Sequence, residues 1–169
     1  MKIFIGSERT DASMNEITKI HHKKLGELSY MKGPQKIHCW SGSIDDCEEG
    51  FSIVLSNPDI ESADIDFICG VVSNRESHIK KAINFIKIKL NTEPEVFGLE
   101  KSEQPYPTSD NIPVDLPRFV FYEKHEFTIV FGESSLPIGD PYGIGVAFDD
   151  EQPITIEDFS EAEIIDDDE

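Results

Sequence analysis

The alternation of apolar and polar residues in the last third of the chain constrains the fold more than any other feature. RFVFYEKHEFTIVF (residues 118–131) reads as two strands around Glu123-Lys124-His125. GIGVAF (143–148) and ITIEDF (154–159) read as a second pair, joined by Asp149-Asp150-Glu151-Gln152-Pro153. A period of two places alternate side chains on opposite faces of a sheet, and the polar interruptions act as turns. Gly132-Glu133-Ser134-Ser135 with Pro137 is a four-residue loop that closes the first pair.

Upstream, KIHCWSGSI (36–44) and FSIVLS (51–56) give a further hairpin across the acidic turn Asp45-Asp46-Cys47-Glu48-Glu49-Gly50. Asn57-Pro58-Asp59 breaks the strand and can open a helix. Ile65, Ile68, Cys69 and Val72 form a helical stripe, while Ile65, Phe67, Cys69 and Val71 alternate as in a strand. Ser73-Asn74-Arg75-Glu76 has the form of a capping box. Behind it Ile79, Ala82, Ile83, Ile86 and Leu90 make one apolar stripe, predicting an amphipathic helix over 74–91. Between Thr92 and Pro117 lie five of the ten prolines, predicting a long extended surface connection. The N-terminal stretch suggests a strand over 2–5 and a short helix over 14–25. Together these elements predict an α+β fold: a mostly antiparallel β-sheet with one or two central helices packed on one face.

A chain of 169 residues fits one domain. Residues 1–35 read as a peripheral extension and 160–169 as a frayed acidic tail. A domain of this size buries roughly 70% of its unfolded surface and holds without metal or disulfide. No stretch reaches the ~20 apolar residues of a spanning helix. Met1-Lys2-Ile3-Phe4-Ile5-Gly6 is too short for the apolar region of a secretory signal. Cys39, Cys47 and Cys69 are an odd set with no CxxC, which suggests neither a disulfide framework nor a zinc site. The expected compartment is cytoplasmic.

Charge narrows the function classes. Thirty-four acids against fifteen bases leave a net charge of -19. Residues 1–40 are mildly basic, whereas no Lys or Arg follows Lys124 and fourteen acids do. Such a surface repels nucleic acid and anionic lipid and attracts basic proteins.

Catalytic signatures are absent: there is no GxxxxGK[ST], HExxH or GxSxG. Gly143-Ile144-Gly145 lacks the third glycine of a dinucleotide loop. His21 and His22 are adjacent and cannot clamp one metal from a helix, and His38 and Cys39 face opposite sides of a strand. Spacing gives no support to a thiolate pair of Cys39 with His38 or His125. The carboxylate pairs Asp45/Asp46, Asp64/Asp66, Asp149/Asp150 and Glu157/Asp158 are what so acidic a chain contains by chance. Asp64-Ile65-Asp66 lacks the glycine and terminal glutamate of a calcium loop. No cofactor and no metal are therefore expected, and the chain reads as a binder rather than an enzyme.

The candidate binding rim is acidic with aromatic anchors: Asp140, Tyr142, Asp149, Asp150, Glu151, Glu157, Asp158 and Phe159. Carboxylates around a Tyr or Phe suit a Lys/Arg-rich protein surface. An alternative reading gathers the carboxylates in a cleft as a small carboxylate-based or metal-dependent hydrolase.

FTIVFGE (127–133), DPYGIGVAFD (140–149) and PITIEDFSEAEII (153–165), with the earlier Trp40-Ser41-Gly42, resemble small acidic bacterial immunity proteins of contact-dependent inhibition and polymorphic toxin systems. The resemblance covers roughly residues 36–165 and carries no residue-level role. It implies a cytoplasmic inhibitor that binds a cognate basic toxin domain, often a nuclease, and blocks it by steric and electrostatic means.

Overall fold

The computed structural model describes residues 18–44, 50–100, 112, 114–140 and 142–159. Among the described residues eight strands form one sheet in which every neighbour in sequence is a neighbour in space. They are β1 (Thr18–His22), β2 (Gly26–Lys32), β3 (His38–Ser43), β4 (Gly50–Leu55), β5 (Val114–Phe121), β6 (Glu126–Ser134), β7 (Ile144–Asp149) and β8 (Gln152–Asp158). All pairs are antiparallel except β4–β5, where Phe51, Ser52 and Ile53 lie parallel to Phe119, Val120 and Phe121. A parallel pair needs a crossover. Helices α1 (Ile65–Ser73) and α2 (Arg75–Thr92) supply it. The fold is thus the expected α+β arrangement, a mostly antiparallel sheet with two helices between its halves.

The alternation read from the sequence puts the large side chains on the helix-bearing face. Phe51, Ile53, Phe119, Phe121, Phe127, Ile129, Phe131, Ile144, Val146 and Phe148 are all buried there. From the helices Ile68, Val71, Ala82, Ile86 and Leu90 join the same core. Trp40 also belongs to it, and its indole N–H donates to the Pro58 carbonyl at 3.2 Å. Cross-strand aromatic contacts run through this face, with Phe127 and Phe148 stacked at 4.6 Å.

Several local expectations change. The helix foreseen over 14–25 is replaced by the β1–β2 hairpin, because Gly26 (φ +74) closes a turn and Leu28 alternates into the core. Residues 18–32, read as a peripheral extension, are therefore two strands of the sheet; residues 2–5 and 14–17 lie outside the described residues, as do 45–49 and the tail from 160. The helix–strand ambiguity at residue 65 resolves as helix, capped by the Asp64 carboxylate, which accepts from the Phe67 amide at 3.0 Å. The capping box does not form. Ser73 ends α1, and Asn74 turns its side-chain amide back to the Gly70 carbonyl at 2.9 Å, so α2 begins at Arg75 without a side-chain cap.

The expected surface connection also begins differently. Pro94–Phe97 make a tight turn that buries the Phe97 ring completely. Strand β6 continues to Ser134 through the loop foreseen at 132–135, held by pairing with Val114 and Asp115 of β5.

Candidate functional site

One end of the sheet gathers the β1–β2, β5–β6 and β7–β8 turns around the N-terminus of α1. The β5–β6 turn has Lys124 (φ 63) and His125 (φ 61) in the left-handed region. Two consecutive positive φ values match the twist of a tight hairpin, but a side chain there costs about 1–2 kcal/mol per residue. The contacts of His125 offset that cost. Its ring stacks on Phe67 at 4.5 Å with planes 14° apart. Its Nε2 lies 2.9 Å from Asp64 Oδ2 and its Nδ1 lies 3.0 Å from Asp150 Oδ1. The Asp150 amide in turn donates to the His125 carbonyl at 3.1 Å.

An imidazole that meets a carboxylate at each nitrogen is best satisfied as imidazolium, with both nitrogens donating. The bonds to Asp64 and Asp150 accordingly hold the His125 pKa above its usual value. Asp64 is held below the carboxylate range, first by the Phe67 amide and then by His125. This clasp ties together the β5–β6 turn, the β7–β8 turn and the start of α1.

Beside the clasp lies an open groove of about 370 Å³ lined by Ser56, Asn57, Ser62, Asp64, Phe67, Glu123 and His125, among others. Glu123 accepts from the Ser56 amide at 3.1 Å and from its hydroxyl at 2.6 Å, which lowers its pKa. Further contacts stitch this end: His22 Nε2 lies 3.1 Å from a Glu61 carboxylate oxygen, and ion pairs join Lys24 to Asp66 and Lys81 to Glu151 at 3.3 Å. Most of its bases are thus engaged internally, and the exposed carboxylates Asp59, Glu126 and Asp149 stand in excess.

The sequence-predicted rim is not one surface. Asp149, Asp150 and Glu151 lie at this turn end. Asp158 pairs with Ile144 at the opposite end of β7, close in sequence to Asp140 and Tyr142, about 16–17 Å away at the usual strand rise. Glu157 sits between them on the face away from the helices, where it accepts from the Thr128 hydroxyl at 3.0 Å. Phe159 is buried over Gly145 and Thr128, so it packs the sheet instead of serving as an exposed anchor.

Sequence reasoning missed His125, Phe67, Glu123 and Ser56. His125 and Asp64 are 61 residues apart, and only the β4–β5 crossover brings them together. The signal available was the chemistry of Glu123-Lys124-His125 at a hairpin tip facing a helix cap. His38 Nδ1 lies 2.6 Å from the Tyr30 hydroxyl and Cys39 Sγ contacts Ser41, while Cys47 lies outside the described residues. Among the described residues no group of His, Cys, Asp or Glu is arranged to hold a metal ion. In the clasp itself His125 stands between its carboxylates, so the three do not converge on one point. Nor is any described helix long and apolar enough to cross a membrane.

Comparison with protein-family models, with curated proteins and with solved structures returns no match to this chain.

Proposed function

We propose that the protein is an immunity-type inhibitor that binds a basic toxin domain through the acidic turn end. The observation that supports this reading is the clasped cluster of turns, which presents exposed Asp59, Glu126 and Asp149 beside Asp150 and Glu151, themselves held by His125 and Lys81, on a braced surface whose bases are largely paired with its own carboxylates. Held carboxylates lose little freedom on meeting Lys and Arg, and they speed encounter more than they slow release. The resemblance of residues 36–165 to acidic immunity proteins gives the partner its class.

Capture of the binding partner from its host, followed by kinetics on the recovered polypeptide, tests the proposal. The triple change Asp149→Asn, Asp150→Asn, Glu151→Gln should slow association at low salt by tenfold or more, with a smaller effect on dissociation. An association rate that ignores the three charges would sink the assignment of this surface.

One observation favours the hydrolase alternative: the groove places Asp64, Glu123 and His125 around one cavity. Both nitrogens of His125 are committed to carboxylates, however, which leaves no free base for a hydroxyl nucleophile. Divalent cations that raise the melting temperature at low millimolar concentration would revive it.

A further inference from the structure

We propose that His78 is an acid-operated release for helix α2. His78 is the fourth residue of α2 and is 3% exposed, packed between the helix and strands β6 and β7. Its ring meets Phe127 edge-on at 5.5 Å and Phe148 edge-on at 6.0 Å. Its Nδ1 is buried with no hydrogen-bond partner among the described residues. A neutral imidazole tolerates such a box at the cost of one unmet acceptor. An imidazolium does not, since it would bury a charge and a donor against aromatic carbon.

Charged groups on the surrounding elements are Arg75, Glu76 and Lys81 of α2, Asp66 of α1, Glu126 of β6, and Asp149, Asp150 and Glu151 at the β7–β8 turn. Lys81 opposes protonation of His78, and so does the positive end of the α2 dipole. Glu151 favours it, but that carboxylate is exposed and already bonded to Lys81. Asp150 is turned to His125. Burial is the largest influence and holds the His78 pKa below its usual value.

The sign follows. Above about pH 6.5 the ring is neutral whether α2 is docked or free, and docking is unopposed. As the pH falls below that value, the proton binds only when α2 lifts from the sheet. The opening equilibrium should then rise by up to about tenfold per pH unit until the docked pKa is reached. His125 responds in the opposite sense, because acid strengthens its clasp. Carboxylates contribute little until about pH 5.

Hydrogen exchange on the full chain between about pH 7.5 and 5.5 tests this, with each amide corrected for its intrinsic rate. The expected result is loss of protection in α2 on acidification, while β3 and β4 amides hold theirs, and no such loss in His78→Phe. Unchanged α2 protection, a loss shared equally by β3 and β4, or a dependence that survives in His78→Phe would each overturn the proposal. Should His78→Phe fail to fold, the wild-type imidazole resonance decides. Titration below about 6.5, in step with α2 exchange, supports the release, and titration at or above that value overturns it.

Discussion

Two glycines with similar positive φ differ in what surrounds them, and that contrast separates conformational cost from contact cost. Gly26 has φ +74 with no atom of the described residues within 4 Å of an added Cβ, whereas Gly143 has φ +81 with the Phe131 carbonyl oxygen 1.9 Å from one. Gly26→Ala should lose about 1 kcal/mol, the left-handed penalty less the gain from a stiffer unfolded chain. Gly143→Ala carries the same penalty and must also push two backbones apart by more than 1 Å, since ordinary contact begins near 3.4 Å. That displacement breaks the Phe131–Ile144 register and the 2.7 Å bond from the Gly143 amide to Gly139. At about 1–3 kcal/mol for each buried group left unmet, the total comes to about 4–6 kcal/mol. A chain of this length shifts by about 2–4 °C per kcal/mol, so Gly26→Ala should melt a few degrees early and Gly143→Ala 8 °C or more. Trp40, the only tryptophan and buried in the core, reports urea unfolding by fluorescence. Equal losses in the two variants would refute the reasoning, because they would mean the β6–β7 junction yields without cost.

Phe127→Ala should cost about 3–5 kcal/mol in the same urea assay, since its fully buried ring contacts Phe121, Phe148 and His78; a loss below 1.5 kcal/mol would place the core elsewhere. His125 has a raised pKa, so its contribution to stability is complete below about pH 6.5 and is lost as pH rises through the folded value. His125→Asn should therefore abolish a stability decline on the alkaline side, read as melting temperature against pH, and a decline that persists would remove the clasp. In a Cys47→Ser background, a thiol reagent should modify the partly exposed Cys69 in the native state and reach Cys39, 1% exposed, only on unfolding; matched rates would contradict the burial of β3. Phenolate absorbance should show Tyr122 titrating late, near pH 12, a step removed in Tyr122→Phe, because desolvation of its hydroxyl and Glu157 oppose ionisation even though the residue is 36% exposed.

Much of the sheet was legible because strand alternation is local. Phe119, Phe121, Phe127, Ile129, Phe131, Ile144, Val146 and Phe148 alternate in the sequence as they do in the core. The β1–β2 hairpin was not legible, since Ile20, Leu25 and Leu28 are too few and too irregular to set a period, and one glycine decides the turn. The capping box misled for a related reason. Its Ser73 and Glu76 match the motif, but the tight join between α1 and α2 keeps Ser73 inside the first helix. The site was half legible. Asp149, Asp150 and Glu151 were found by charge, while Asp64, Phe67 and His125 needed the parallel β4–β5 crossover, which no local pattern encodes.

The two histidines make the turn end more than an acidic patch. His125 grips Asp150 of the β7–β8 turn, and the neighbouring Glu151 grips Lys81, one helical turn beyond His78. The same turn is thus fastened to a residue that favours the proton and to a helix whose buried ring rejects it. In the interval around pH 6.5, inside the two shifted pKa values, the clasp is charged and the core histidine neutral, so both attachments hold; α2 docking weakens progressively below it and the clasp above it. Acid undoes the α2 side alone and alkali the clasp side alone. The carboxylates of Asp149, Asp150 and Glu151 keep one geometry only in that interval, and a partner reading them by charge and position should bind best within it.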